Sequence, residues 1–360
     1  MTPIFRALRP KEQQACIELW ARVFTPGSDF FSRYFADPWW QPHYTRVCEV
    51  DGQLVAAVQI VRRPIRLRAG YTLWMAGIAN VATLPAYRGQ GFASRLMQEA
   101  QAVMDSEDFA FGLLFTGIRD FYARLGWETL PLPLYEGEPV AGDLGNWRFR
   151  VAREEDLPHL QRWYEALYAD RPLSVVRNDA YWRVWTRWED AEWRHKFYLA
   201  EDPQGTLRGY VVLETRYESD EQGNRTLQAV SVAELAAAPE DIEAQRMLVG
   251  YASQTAHMAG VPLEIYLPEA DVERLVRPLL ARVEWMGQGG AMVRVCNWQI
   301  IREAFEALDA PAPENLSALG QANALALLLG LPLPDSNSLA SELRQRYPIR
   351  PACYSPVDSF

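Results

Sequence analysis

The stretch Gly77-Ile78-Ala79-Asn80-Val81-Ala82-Thr83-Leu84-Pro85-Ala86-Tyr87-Arg88-Gly89-Gln90-Gly91-Phe92-Ala93-Ser94-Arg95-Leu96-Met97 decides the fold. It predicts a buried β-strand, a glycine-rich turn and an amphipathic helix. Small and β-branched residues from Val81 to Leu84 make the strand, and Pro85 stops it. Beyond the turn, apolar residues at 92, 93, 96, 97, 100, 103 and 104 keep a helical period. The glycines therefore stand where the helix begins. Unpaired backbone N–H groups and the positive end of the helix dipole converge there, an arrangement that binds phosphate oxygens. Gly89 and Gly91 remove the side chains that would hold a pyrophosphate away from the backbone.

The spacing narrows the reading. Arg88-Gly89-Gln90-Gly91-Phe92-Ala93 fits the pattern R/Q-x-x-G-x-G/A, and Phe121-Tyr122-Ala123-Arg124-Leu125-Gly126-Trp127 follows downstream. On these two elements the chain resembles the GCN5-related N-acetyltransferases (GNAT), whose turn holds the pyrophosphate of acetyl-coenzyme A.

Composition bounds the rest. The 360 residues suffice for two or three domains, and 49% hydrophobic residues with 13 Trp mark a globular chain. A net charge of −10 without a basic stripe argues against nucleic acid as partner and suits cationic amines. Cys16, Cys48, Cys296 and Cys353 are far apart with no C-x-x-C pair, as in a reduced cytoplasmic protein. His43, His159, His195 and His257 have no metal spacing, so no metal is expected. No apolar run reaches membrane-spanning length and no signal peptide opens the chain, so no membrane association is expected.

In chain order, a strand is expected at 5–8, an amphipathic helix at 10–24 and an aromatic-rich segment at 25–43 that packs on the sheet. A hairpin at 44–50 and 54–61 turns at Asp51-Gly52. A helix from about 91 to 105 leads to a buried strand at 109–115 and a short helix carrying Tyr122. A duplication then emerges: Phe149-Arg150-Val151-Ala152-Arg153 repeats Phe5-Arg6-Ala7-Leu8-Arg9, and a helix at 241–258 repeats the one after the glycine turn. The second copy has Pro239-Glu240-Asp241-Ile242-Glu243 in place of the glycines. Its three carboxylates suit a helix start but repel a pyrophosphate. We read this copy as structural. The last 65 residues form helices at 298–308, 317–329 and 338–347, then a proline-rich tail.

This layout resembles the Eis (enhanced intracellular survival) family of acetyltransferases across essentially the whole chain. The resemblance implies an α/β (α+β) chain of tandem GNAT folds, with mixed central sheets flanked by helices. It implies a catalytic GNAT domain at 1–140, a degenerate one at 146–295, and a shortened sterol-carrier-like segment at 296–360. It implies acetyl-coenzyme A as co-substrate, small-molecule amines (aminoglycosides, polyamines or lysine-type amines) as acceptors, and a homo-oligomer. Carried over by position, Val81, Ala82 and Thr83 hold the acetyl and pantetheine arm, and Arg88, Gly89, Gln90, Gly91, Phe92, Ala93 and Ser94 wrap the pyrophosphate. Gly117 and Ile118 are the remaining cofactor contacts, although Phe115-Thr116-Gly117-Ile118 departs from the family's Ser-Glu pair. Tyr122 matches the family's general acid, and the C-terminal carboxylate on Phe360 matches its base.

Acetyl transfer requires a neutral amine, an oxyanion donor and a proton for the departing thiolate. A backbone N–H near Val81 to Thr83 suits the oxyanion. A neutral phenol suits the thiolate, since the reference pKa values of phenol and thiol differ by about two units. Two other classes compete: a non-catalytic acyl-coenzyme A sensor or scaffold, and a hydrophobe carrier with an apolar cavity under 317–329.

Overall fold

The computed structural model describes residues 2–24, 27–186, 195–220, 224–310, 312–334, 343, 346–347 and 350–358. Two seven-stranded mixed sheets flanked by helices make up the chain, consistent with tandem GNAT folds. The first sheet contains β1 (Ile4–Ala7), β2 (Thr45–Val50), β3 (Gln53–Arg68), β4 (Tyr71–Thr83), β5 (Phe109–Phe115) and β6 (Glu128–Thr129). The second contains β7 (Tyr135–Gly137), β8 (Arg148–Val151), β9 (His195–Glu201), β10 (Leu207–Ser219), β11 (Arg225–Ala237), β12 (Leu263–Ile265) and β13 (Val283–Trp285). A last strand, β14 (Ala291–Val295), returns to the first sheet.

The strand orders are β1-β2-β3-β4-β5-β14-β6 and β8-β9-β10-β11-β12-β7-β13. Each sheet has one parallel pair, β4–β5 in the first and β11–β12 in the second. The first sheet takes one strand from beyond the second, β14, which lies between β5 and β6; within the second sheet β7 lies between β12 and β13. The second sheet is therefore one continuous run of strands, β7 to β13, inserted between β6 and β14 of the first, which alone is discontinuous in the chain. The return of β14 fastens the chain beyond the second sheet to the first through backbone ladders with β5 and β6.

The helices repeat as well. α1 (Gln13–Val23), α2 (Ser28–Ala36), α3 (Phe92–Ser106) and α4 (Arg119–Ala123) accompany the first sheet. α5 (Leu157–Tyr168), α6 (Asp179–Thr186), α7 (Ile242–Ala259) and the short α8 (Glu269–Asp271) accompany the second. The repeat extends to side chains. Arg6 Nη1 donates to Glu12 at 2.8 Å, and Arg150 Nη1 donates to Asp156 at 2.7 Å, six residues on in both copies. The same carboxylates accept from the N–H of Arg9 and of Arg153, fixing the turn into the next helix.

Two expectations change in detail. β3 runs to Arg68 instead of ending at Val61. Arg62 and Arg63 stay in the strand because each has a carboxylate, Asp108 and Asp37. Pro64 is tolerated because β2 pairs only as far as Gln59, and on the vacated side Val176 N–H reaches the Pro64 carbonyl at 2.7 Å. The aromatic segment, expected to pack on the sheet, meets it at Trp39 on Trp74 of β4 but packs on helices as well: Phe35 stacks on Trp20 of α1, and Tyr34 meets Trp185 of α6 edge-on at 5.5 Å. Asp37 accepts from Arg63 at 2.7 Å and from Trp185 Nε1 at 3.0 Å, so it seals the joint between the units.

Beyond β14, α9 (Trp298–Glu306) and α10 (Gln321–Leu329) turn back onto the first unit. Phe305, Leu325 and Leu328 are fully enclosed in its core. The helix expected at 338–347 falls largely outside the described residues.

Candidate active site

The site is a split between β4 and β5. Their parallel ladder ends at Gly77↔Leu113, while β4 continues to Thr83. Each strand is held on its outer edge only. β3 keeps β4 through Ala56↔Thr83, and β14 keeps β5 through Phe115↔Ala291. Gly290 makes that second attachment close, since a Cβ there would stand 2.8 Å from the Thr116 carbonyl oxygen. Past Gly77, the inner edge of β4 has no ladder partner among the described residues. Its backbone groups are free to bond a ligand lying in the split.

Sequence reasoning missed one feature of this edge. The β3–β4 register steps from Ala57↔Ala82 to Gln59↔Ala79, so β4 carries an extra residue. Asn80 takes up the bulge at φ +52°, and its amide donates to Gln59 Oε1 at 2.9 Å. The bulge reorients Val81 beside the split. The signal was there: a lone Asn in an apolar strand is the residue type that enters the left-handed region most readily. Asn80→Val should cost about 2 kcal/mol, from a β-branched residue at positive φ and the lost amide bond, and Asn80→Gly less than half of that. Urea unfolding of the two variants checks this order.

The glycine turn stands at the mouth of the split. A single 3₁₀ turn, Pro85–Tyr87, follows β4, and Gly89 and Gly91 both adopt φ +78°. A Cβ at either would meet nothing within 4 Å, so the space above both is open. Gly91 is the N-cap of α3 and cannot cap it with a side chain, and no acidic residue stands in the first turn. The first N–H groups of the helix, from Phe92, Ala93 and Ser94, are thus left for an anion. Phe92 is buried edge-on against Phe5 at 5.8 Å and anchors the helix. Arg88 is exposed and its Nε donates to the Thr83 carbonyl at 3.2 Å, bracing the turn. Gln90 is exposed. The buried Thr83 hydroxyl oxygen has no partner among the described residues, an orphan beside the mouth. These features fit the pyrophosphate and pantetheine arm of a coenzyme A thioester.

Tyr122 sits on α4, which is tied to α3 because Gln101 Nε2 donates to the Leu125 carbonyl at 2.7 Å. Its side chain is 7% exposed, and its hydroxyl has no partner among the described residues. Burial pushes its pKa up to about 12, so the phenol is a neutral donor over the whole physiological range. Gly117 and Ile118 lie in the exposed loop between β5 and α4, with the Ile118 N–H on Thr116 Oγ1 at 3.0 Å. Phe360 lies outside the described residues. No group of three His, Cys, Asp or Glu among the described residues could hold a metal ion.

The matching place in the second unit is closed. Asp241 is the N-cap of α7, and its Oδ1 accepts from the Ala244 N–H at 3.1 Å. Its Oδ2 accepts from Arg208 Nε at 2.8 Å, and Glu243 follows in the first turn. On α7 the N–H of Ala244 is taken by Asp241 and that of Ile242 by the Glu240 carbonyl, and carboxylates stand where α3 has glycines.

Comparison with known proteins fits this fold. Residues 5–130 match the family model described as an acetyltransferase (GNAT) domain. No curated protein matches the sequence. Among solved structures, a conserved Enterococcus faecalis V583 protein described as a probable N-acyltransferase superposes with TM-score 0.61 at 16% identity, covering 84% of this chain and 75% of that one. Eis1 from Mycobacterium abscessus superposes with TM-score 0.54 at 17% identity, covering 85% and 76%. Saccharomyces cerevisiae N-myristoyltransferase, solved with myristoyl-CoA, superposes with TM-score 0.56 at 13% identity, covering 82% and 78%. These likenesses establish the fold. No helix among the described residues is long and apolar enough to cross a membrane.

Proposed function

We propose that the chain is an acetyl-coenzyme A-dependent N-acetyltransferase acting on a small primary amine of the aminoglycoside, polyamine or lysine type. The first unit carries the site and the second is structural. One observation carries this reading: the α3 N-terminus is uncapped beneath two open glycines beside a split sheet, and the α7 N-terminus is capped by Asp241. A fold neighbour solved with bound myristoyl-CoA supports an acyl-coenzyme A thioester as the ligand. An apolar carrier working through α10 is disfavoured, because Leu325, Leu327 and Leu328 are each no more than 2% exposed within the first core.

In this mechanism the pyrophosphate bonds the N–H groups of residues 91–94, and the pantetheine arm runs along the free edge of β4. The neutral amine attacks the thioester carbonyl, whose oxyanion is met by a backbone N–H near the Asn80 bulge, and the nitrogen releases a proton to solvent as the amide forms. The C–S bond breaks, and Tyr122 donates to the departing sulfur. Calorimetry with acetyl-coenzyme A should give one site per chain, and thiol release with kanamycin, spermidine and Nα-acetyl-lysine should show turnover on at least one amine. Two sites, or tight binding without turnover on a wide amine panel, would overturn the assignment.

The pH dependence follows from two groups. A primary amine has a pKa of about 10, so its reactive neutral fraction rises with pH. Tyr122 is held up to about 12, so its proton is retained throughout that rise. The kcat profile should therefore climb without a descending limb below about pH 11. A fall near pH 9 would remove Tyr122 as the acid.

A further inference from the structure

Both sheets contain the same split, and in the second one the chain itself fills it. β11 parts from β12 after Val232↔Ile265, and the step from Val212↔Glu234 to Leu213↔Val232 leaves Ala233 as an extra residue. This bulge corresponds to the one at Asn80. The segment 350–358 lies across that split, and residues 352–358 are all buried. On one lip Ser355 Oγ donates to the Ala233 carbonyl at 3.3 Å, and on the other Cys353 Sγ is 3.5 Å from the Tyr266 carbonyl oxygen. Asp358 is fully enclosed and accepts from Arg177 Nε and Nη2 at 2.8 Å each and from the Tyr181 hydroxyl at 2.8 Å. Arg177 Nη1 also donates to Glu234 at 3.0 Å, on the residue just past the bulge. Between these two fastenings, the Tyr354 ring lies 5.9 Å from Phe115. Phe115 is two residues beyond the last β4–β5 pair, at the root of the first split.

We infer that the second unit's cleft is a receptor for the chain's own segment 350–358, and that Asp358 is a positioning residue that holds Tyr354 as a wall of the first cleft. The second half of this inference rests on the proposed acetyl transfer. The geometry supports it in three ways. The segment engages both lips of the split, as a ligand in an open sheet edge does. Asp358 is satisfied by three donors that no solvent reaches, so it has no comparable place outside the pair with Arg177. Tyr354 touches the root of the first split, while the glycine turn that grips the pyrophosphate stands at its mouth. A loosened segment therefore alters the reacting end and leaves nucleotide binding alone.

Cys353 supplies a native reporter. Its thiol is enclosed and pushed up to about 12 by burial, as expected of a group that no reagent reaches. Cys16 and Cys48 are buried in the first core and report on the rest of the fold. Iodoacetamide labelling located by peptide mass should find all three protected in the parent. Asp358→Ala should speed labelling of Cys353 by at least about tenfold with Cys16 and Cys48 unchanged, and Asp358→Glu should restore protection. Unchanged Cys353 labelling overturns the inference. Equal acceleration of all three also overturns it, since Asp358 would then be holding the whole fold. These readouts need no turnover, so they stand apart from the enzymatic reading. Where an amine is turned over, Tyr354→Ala should raise its KM several-fold and leave the acetyl-coenzyme A dissociation constant and Cys353 protection as in the parent. An unmoved amine KM removes the wall role.

Discussion

A Gly91→Glu chain is expected to bind acetyl-coenzyme A at least about 100-fold more weakly than the parent, with the protein still folded. Two effects combine. Hydrogen bonds from backbone N–H groups to a charged oxygen contribute about 1.5–3 kcal/mol each, and a side chain over the turn blocks their approach. The added carboxylate also repels the diphosphate at short range. The cost to the fold is smaller. A Cβ at Gly91 meets nothing within 4 Å, so the penalty is confined to a non-glycine residue at φ +78°, about 1–2 kcal/mol. Calorimetry and thermal unfolding on the same sample separate the two. The reciprocal change, Asp241→Gly, should leave affinity and the single-site stoichiometry unchanged, because Glu243 still opposes an anion at α7. Full affinity in the Gly91 variant would move the nucleotide elsewhere.

The glycine turn was legible because it depends on local chemistry. Positive-φ glycines, a proline stop and a 3.6-residue period are each set by neighbouring residues. The duplication was legible for the same reason: Arg150 and Asp156 repeat a local bond made by Arg6 and Glu12. What escaped depends on distant partners. β14 and β7 have five and three residues, and neither says which sheet it joins. β3 passes through Arg62-Arg63-Pro64, which reads as a breaker until Asp108, Asp37 and the segment at 174–176 are placed beside it. The prolines and aromatics at 350–358 suit a docked tail, but they do not say what it docks on. They are ordered by Arg177 and Tyr181, well over a hundred positions earlier.

Tyr122→Phe is expected to lower kcat by about 10²–10³ with the acetyl-coenzyme A dissociation constant unchanged. The phenol and a departing thiol were expected to lie within about two units, since free phenol is near 10 and free thiol near 8.5. Burial widens that gap by taking Tyr122 up to about 12. A phenol so weakly acidic does not hand its proton to a free thiolate; it donates a hydrogen bond as the C–S bond stretches. The same enclosure raises the departing thiol as well, so part of the match returns while the site is closed. Both effects place the loss in the lower half of the range for general acids, which extends to about 10⁴. The stretching sulfur needs Tyr122 less when its charge is better stabilised. Thioesters of more acidic thiols should therefore shrink the Tyr122→Phe defect steadily, and kcat measured across such a series gives the slope. A defect independent of the leaving group would mean that the ring shapes the pocket and the hydroxyl is idle.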